Sequence, residues 1–582
     1  MTTPTTTTKQ DRPDHDVCVI GLGPTGLTMA HALAARGLDV VALEREPTYY
    51  GMARAVYTDD ECLRIMQNLG LADELHAQMI HDLRVRWMRA DGRELGWFLD
   101  PDRTNGWPTA NFLYQPAFEQ TLERGLERYR VRENGHGSVT IRRCRAVANV
   151  TQDEAGVTVE HDECTGAGYG RGDAGIVADS RETLSASYVI ACDGGRSAVR
   201  RSLGIEMTGK RFPQRWLVVD LAAKEGHTPF ARLQTFDFVC DPVLPTVSCP
   251  QPDNRHRFEF MLHDDDVTED FERPEKATEL IAPYCEPGTY DVTRQLVYTF
   301  NALVAERWRD GRIFLAGDAA HMTPQFIGQG MNAGLRDADN LAWKIADVLR
   351  HGAPESLLDT YETERRPHAS AMIALSVFNK DMVSTTHPAR IRLRDAAVPL
   401  GVRTPGIKRL ITEAKIKPRP RLRRGAYFGD ARGVNGVEGT LMPQPRVRDA
   451  AGRAVRFDDI VGHGWFVLGV GADPRAAAPA VVSALADAGR PVACVALDAP
   501  ASDAAAPSDG AADAGVIHLT SDDDGWRHWC RRGRIGAGSV LVIRPDKFVL
   551  AHLRSDADAP SLTRLLHEPA SPASTKGRLP WR

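Results

Sequence analysis

At 582 residues the chain is long enough for two or three domains, and its 42% hydrophobic and 26% charged residues are those of an ordinary globular protein. A net charge of -5 lacks the basic excess with which nucleic acid is bound, and no run reaches the ~18 apolar residues of a membrane span. Ten cysteines include no CxxC pair and no Cys/His cluster at zinc-ligand spacing, so the expectation is a cytoplasmic protein with reduced thiols, no metal, and no nucleic-acid or membrane partner.

A Thr-rich leader (1–14) precedes "DVCVIGLGPTGLTMAHALAARGLDVVALERE" (16–46). Val17, Val19 and Ile20 are β-branched, Leu27, Ala30 and Ala34 recur at helical spacing, and Gly37 ends the helix before "DVVAL" resumes extended structure, which predicts a βαβ unit. Residues 55–90 and 112–130 are predicted helical, and 139–195 are predicted strands ending in "YVIACDGG". Alternating pieces within 213–300, "RWLVVDL", "RHRFEFML" and "RQLVYTF", predict a separate sheet. Strand and helix return in "FLAGDAAHMTPQFIGQGMNAGLRDADNLAWKI" (314–345). "CTGAGYGRGDAG" (164–175) and "APASDAAAPSDGAADAG" (499–515) read as mobile loops, and the basic run "KIKPRPRLRR" (415–424) as a solvated connector. From about residue 426 the pattern restarts, with "GWFVLGVG", a helix-like "AAPAVVSALADAG" and two strands about a Pro-Asp turn, predicting a small α/β domain.

Three motifs carry chemistry. Gly21, Gly23 and Gly26 form a GxGxxG between strand and helix, and Glu44 follows eighteen residues after Gly26 at the end of the second strand. A pyrophosphate can lie on the backbone N–H groups of a helix N-terminus only where side chains are absent, and a carboxylate at Glu44 suits ribose hydroxyls and disfavours a 2′-phosphate. FAD or NAD is therefore expected here, with Arg45 next to Glu44 in the same group. Asp193 and Gly194 end the next apolar strand, which by itself reads equally as a capped loop. In the third motif Gly317 and Asp318 end a buried strand, and glycine-bordered N–H groups around Gly328 and Gly330 open a long helix with Leu335, Ala338, Leu341, Ala342 and Ile345 on its apolar face. The positive end of a helix suits a planar group that becomes anionic, such as a reduced flavin.

In this order, over residues 1–400, the motifs resemble the class A FAD-dependent aromatic hydroxylases of the para-hydroxybenzoate hydroxylase type. The resemblance implies a Rossmann-like α/β FAD-binding domain with an inserted substrate sheet. It implies that Gly21, Gly23, Gly26 and Glu44 hold the ADP half of FAD and that Asp193 and Gly194 serve FAD and the nicotinamide cofactor. Gly317, Asp318, Pro324, Gly328, Gly330, Met331 and Asn332 then hold the ribityl chain and ring, Arg54 lies near the pyrophosphate, and Gln115 reaches the flavin. The implied boundaries are 15–205 and 301–400 for the FAD-binding domain, with segments near 80–110 lent to a substrate sheet at 206–300. A linker at 401–425 and a thioredoxin-like domain at 426–582 follow, similar to that of phenol hydroxylase-type members but without CxxC.

"CDGGRSAVRRSLG", "CDPVLPTVS", "RFEFML" and "YTFNALVAERW" are most similar to the 3-(3-hydroxyphenyl)propionate hydroxylase branch. That branch implies NADH or NADPH as donor, O2 as co-substrate, a flavin C4a-hydroperoxide, and ortho-hydroxylation of 3-(3-hydroxyphenyl)propionate or 3-hydroxycinnamate. No CxxxxC follows the first βαβ unit, which speaks against a disulfide reductase, and no WxWxIP pattern is present, which speaks against a flavin halogenase. His321, Pro324 and Gln325 are the candidate catalytic residues, with Tyr57, Asp59, Asp60, Trp107 and Arg257 as further substrate candidates. The position of Val56, acidic in phenol hydroxylase-type members, leaves the phenol base unassigned. The same chemistry on a larger polycyclic phenol, a flavin-holding binding protein acting through 426–582, and a homodimer all stay open.

Overall fold

The computed structural model describes residues 13–49, 54–132, 135–166, 175–413, 415–427, 436–449, 452–498 and 515–553. Nearly all of the Thr-rich leader and most of the two low-complexity segments lie outside the described residues. Along the chain, β1 (His15–Ile20), α1 (Pro24–Ala34) and β2 (Asp39–Leu43) form the opening unit, and α2 (Asp60–Asn68) follows. β3 (Val85–Met88) and β4 (Glu94–Phe98) leave for a second sheet, and β5 (Ser138–Arg142) and β6 (Glu182–Ala191) return to the first. β7 (Met207–Ala223), β8 (Phe236–Val239), β9 (Thr246–Gln251), β10 (Arg255–Met261) and β11 (Tyr290–Ala305) complete the second sheet. Then come β12 (Ile313–Leu315), the helices α3 (Gln329–His351), α4 (Ser356–Val383), α5 (Pro388–Arg403) and α6 (Pro405–Thr412), and finally β13 (Trp465–Val470), β14 (Val492–Leu497), β15 (Ile517–Leu519), β16 (Ser539–Ile543) and β17 (Val549–Leu553).

The first sheet runs β12-β6-β1-β2-β5, all parallel. Val17, Cys18 and Val19 of β1 are fully buried, as a parallel strand covered on both faces requires. α1 and α3 pack against each other over this sheet. Pro24 at the first helical turn of α1 forfeits no intrahelical bond, and Asp59 caps α2 by accepting the Cys62 N–H at 3.1 Å. The helical reading of 55–90 is corrected: helix occupies Asp60–Asn68 and Ala72–Ala77, and the chain then extends into β3. In "VRWM" the burial alternates, Val85 and Trp87 in and Arg86 and Met88 half out, so a period of two overrides the helical one.

The second sheet runs β11-β7-β10-β9-β8-β3-β4, antiparallel except where β8 meets β3. Alternation along β10 sends Phe258 and Phe260 to one apolar cluster with Leu217 and Val219, and puts Met261 in another with Trp216, Val247 and Cys249. Arg257 and Glu259 therefore share the Met261 face. The stretch 401–425, read as a linker, contains α6, which pairs with α5 over β4; Val398 and Val402 press so closely on Gly96 that a Cβ there would lie 3.0 and 3.1 Å from their methyls.

The C-terminal sheet runs β15-β14-β13-β16-β17, parallel across the first three strands and antiparallel after them, a thioredoxin-like α/β arrangement. It docks on α3 and α4. Trp343 of α3 meets Trp465 edge to face at 5.4 Å, and its indole N–H donates to Asp546 at 3.0 Å. Arg544 makes two bonds to Glu364 of α4, 2.8 and 2.9 Å, with both side chains fully buried, and Arg64 to Asp458 and Arg490 to Asp347 add two more buried pairs at 2.7 Å. Among the described residues no helix is long and apolar enough to cross a membrane.

Removing one partner of such a pair strands the other charge in a dry interior, so Arg544→Met should lower unfolding stability by about 3–5 kcal/mol in denaturant titrations. Burial pushes Glu364 up, but Arg544 and Lys344 hold it at about 2. The stabilisation it brings should be complete above its ordinary 4.5 and be lost as pH falls toward 2.

Candidate functional site

The carboxyl ends of β1, β6 and β12 lie side by side, and each carries one motif. The chains there touch closely, glycine against backbone at two of the contacts and against the Thr25 side chain at the third. A Cβ on Gly21 would stand 2.6 Å from the Cys192 carbonyl oxygen, one on Gly26 1.9 Å from the Gly21 carbonyl oxygen, and one on Gly317 2.7 Å from Thr25 Oγ1. Gly21 and Gly317 also have φ of +93° and +59°, where an L side chain is strained. The first and third motifs are thus locked together through Thr25, and the second closes on the first through Cys192, whose N–H donates to Ile20 O at 2.7 Å.

Other positions leave room for a ligand. A Cβ on Gly23, the uncapped N-cap of α1, would meet nothing within 4 Å, nor would one on Gly194, and at Gly330 the nearest atoms are 3.9 Å away. Glu44 sits at the end of β2 with Oε2 accepting the Leu22 N–H at 2.6 Å and Oε1 the Glu46 N–H at 3.0 Å. Asp193 accepts the Ala198 and Val199 N–H groups through Oδ2, burial pushes its carboxyl up, and its other oxygen is buried with no partner among the described residues. Open glycines at two helix N-termini, a carboxylate at a strand end and an orphaned carboxyl oxygen fit a dinucleotide with a polyol chain.

Beside this cradle lies a cleft of about 400 Å3, bounded by Arg54 to Val56, the loop from Gln325 to Gly328, and β8, β9 and β10 of the second sheet. Phe236, Phe238, Val247 and Phe326 make it apolar, and Glu259 and Gln325 are its polar end, Gln325 Nε2 donating to Glu259 Oε2. Burial pushes Glu259 up to about 7 against the pull of Arg257. Arg257 binds Asp220 through Nε and Nη2 at 2.6 and 2.9 Å, and its Nη1 donates to Arg54 O at 2.7 Å.

Of the catalytic candidates, Gln325 lines this cleft. Pro324 precedes it, its carbonyl accepting the Ser376 hydroxyl, and His321 does not line it. His321 is fully buried with Nε2 2.6 Å from Asp337 Oδ2, against the Trp308 ring at 5.0 Å. Asp337 also accepts Arg365 Nε at 2.9 Å and the Gly317 N–H at 3.0 Å; burial raises its carboxyl, but His321 and Arg365 hold it below the usual range. His321 is thus corrected from a group facing substrate to one that fixes the strand end carrying Gly317.

The cofactor candidates divide similarly. Gln115 Oε1 accepts the Arg54 and Ala55 N–H groups at 2.8 and 2.6 Å, which fixes the loop beside the cleft. Asn332 is buried with its amide on Gly328 O, Tyr57 O and the Thr58 hydroxyl, so it braces the start of α3; Met331 is half-buried against the core. Asp318 is half-buried at the end of β12, and Arg45 is exposed and paired with Glu46. Of the further substrate candidates, Asp59 is buried against Arg336 and Lys417, Asp60 holds Asn105, the Tyr57 ring packs on Gly328, and Trp107 is covered by Arg456 of the C-terminal unit. None of them lines the cleft, and Arg257 stands behind its wall. Sequence reasoning passed over Glu259, whose one signal is a carboxylate on an otherwise apolar alternation in "RFEFML".

A glycine-lined cradle at three parallel strand ends, facing an apolar cleft over an antiparallel sheet, is the architecture of flavin-dependent aromatic hydroxylases. The chain belongs to the FAD binding domain family, whose model matches residues 14–376, and an HcaD C-terminal domain matches residues 439–568. It is similar to the 3-(3-hydroxy-phenyl)propionate/3-hydroxycinnamic acid hydroxylase of Mycolicibacterium smegmatis, 37% identical over 462 residues, 79% of this chain and 78% of the relative. It is also similar to 3-(3-hydroxy-phenyl)propionate/3-hydroxycinnamic acid hydroxylase 2 of Burkholderia vietnamiensis, 36% identical over 79% of this chain and 80% of the relative. Among solved structures, aklavinone-11 hydroxylase with FAD and aklavinone superposes with a TM-score of 0.74 at 24% identity, over 95% of this chain and 99% of that one, a likeness of fold. The protein is an FAD-dependent aromatic monooxygenase.

Gly23 has φ of -71°, so Gly23→Val should fold normally by circular dichroism yet bind FAD at least tenfold more weakly, about 1.4 kcal/mol, in absorbance titrations. Gly26→Val, which has no room against Gly21, should fail to fold.

Proposed function

We propose that the protein ortho-hydroxylates 3-(3-hydroxyphenyl)propionate or 3-hydroxycinnamate to the 2,3-diol, taking electrons from NADH or NADPH and one oxygen atom from O2. The observation that carries this reading is the cleft: an apolar space of about 400 Å3 with a single buried carboxyl at one end, set against the loop that follows Asp318. Aromatic walls with one polar end suit a single phenol ring. The names of the relatives at 36–37% identity support the substrate class.

In this reading Gly21, Gly23 and Gly26 bring backbone N–H groups to the pyrophosphate, Glu44 takes the ribose, and Arg45 and Arg54 lie alongside. Asp193, with its unpartnered oxygen, Gly194 and Asp318 face the polyol, and Pro324, Gly328 and Gly330 border the ring. Gln115, Met331 and Asn332 shape that border by holding the neighbouring backbone. FAD supplies the redox chemistry, accepting electrons from the nicotinamide and activating oxygen. The chain's own part is to seat the phenol, exclude water with Phe236, Phe238 and Phe326, and manage the phenolic proton.

The test is NADH and NADPH oxidation by FAD-loaded protein with and without 3-(3-hydroxyphenyl)propionate, with the product analysed by mass and released peroxide measured. Strong stimulation with a product one oxygen atom heavier and little peroxide is expected. Stimulation that yields mostly peroxide would move the substrate to a larger phenol. Bound FAD without stimulation by any of a panel of phenols would overturn the reading in favour of a binding role.

A further inference from the structure

Glu259 is an unusual residue for its place. It is buried on the cleft face of β10, with Val218 and Val247 opposite it on the neighbouring strands, and Gln325 of the opposing loop donates to it. Its nearest cation, Arg257 Nη1, is 4.0 Å from Oε1, and that guanidinium is already engaged by both oxygens of Asp220 and by Arg54 O. From β11, Arg294 approaches Asp220 at 3.6 Å, and from β9 the Cys249 thiol, pushed up by burial, is neutral. The carboxylate is thus only partly compensated and stands where a polar substrate end would meet it.

We propose that Glu259 is the base that takes the phenolic proton, positioned by Gln325, and that it sets the orientation of the substrate in the cleft. The proposal rests on the phenol hydroxylase reading. When the phenol binds, its O–H bond breaks, the electron pair stays on the phenolate oxygen, and the proton passes to a Glu259 carboxylate oxygen; once the ortho carbon has taken up oxygen, that carbon loses its hydrogen as a proton and the Glu259 proton returns to the ring oxygen, which restores the aromatic ring. A substrate carboxylate placed at this end would face like charge, so the propionate points away from Glu259. With Glu259 near 7, wild-type turnover should fall on the acid side of about pH 7 as the base is protonated.

The variants are Glu259→Gln and Gln325→Leu, compared with wild type in FAD content, KM, kcat, coupling and pH profile. Glu259→Gln should keep FAD and bind substrate, lose roughly 100-fold or more in hydroxylation, and lack the acid limb. Gln325→Leu removes a hydrogen bond that favours the charged form, so its acid limb should move to higher pH. Anaerobic ultraviolet difference spectra of bound phenol should show phenolate in wild type and not in Glu259→Gln. An unchanged kcat, acid limb and spectrum in Glu259→Gln would overturn the proposal. If instead wild type ionises bound phenol without hydroxylating it, the function reading fails while the assignment of Glu259 stands.

A second, independent observation lies on α5 and α6. Both helices pack on β4, through Val398, Val402 and Ile411, so their outer faces share one side of the molecule. That side exposes Leu393 (70%), Leu400 (67%), Ile407 and Leu410. On these two helices Arg390, Arg392, Arg403, Lys408 and Arg409 are exposed and Asp395 is the one acidic residue, in a chain whose net charge is -5. We infer that this apolar, basic face docks peripherally on an anionic lipid surface, since a second copy placed symmetrically on it would bring two strongly basic faces together. Co-sedimentation with phosphatidylglycerol/phosphatidylcholine vesicles is expected at low salt, with loss at roughly 0.5 M salt, on pure phosphatidylcholine, or in Leu393→Ser/Leu400→Ser, whose turnover stays normal. No pelleting on anionic vesicles at low salt, or a dimer in light scattering that the double variant abolishes, would overturn it.

Discussion

The close contact among three strand ends governs the rest of the molecule. Gly26 lies against the Gly21 carbonyl, Gly21 against the Cys192 carbonyl, and Gly317 against the Thr25 side chain, each with no room for a side chain of its own. That closeness brings the start of α1, the Asp193 turn and the Gly317 turn into one concave surface. It also explains why His321 is buried. The strand end that carries Gly317 needs a support from below, and the His321–Asp337–Arg365 chain of bonds provides it while also accepting the Gly317 N–H.

Charge plays a different part at each level. Around the cleft, Asp220 and Arg257 pair across β7 and β10, and Glu259 is left at the edge of that compensation. Between the cofactor layer and the C-terminal unit the pairs are complete, with Arg64, Arg490 and Arg544 each meeting a carboxylate in the interface. Complete pairs hold a geometry, while an incomplete one leaves a proton exchangeable. The C-terminal unit has only buried cysteines, and its contribution on this structure is to cover Trp343 and Glu364 on the outer side of the helices that frame the cradle.

The local features of this fold are legible in sequence wherever they depend on near neighbours. The glycine turn between β1 and α1, the alternation of β7 and β10, and the apolar stripe of α3 are of this kind. What escapes is anything decided by distant pairing. Glu259 faces the cleft because β10 aligns with β7 and because the loop carrying Gln325 lies opposite, and neither fact is written in "RFEFML". His321 stands three residues from Pro324, yet which side of the loop it takes depends on Asp337, one helix away. Asp59, Asp60 and Trp107 look exposed and reactive in sequence but are absorbed by Arg336, Asn105 and Arg456, whose positions come from the packing of α2 between α3 and the C-terminal unit.

The bond from Arg257 to the Arg54 carbonyl ties a rigid sheet to a loop. Arg54 and Ala55 are gripped from the opposite side by Gln115, so this short piece of chain is suspended between two layers and belongs wholly to neither. One guanidinium thus holds both the Asp220 carboxylate of the sheet and the peptide at the mouth of the cleft, so the loop's position is set by the strand that also carries Glu259.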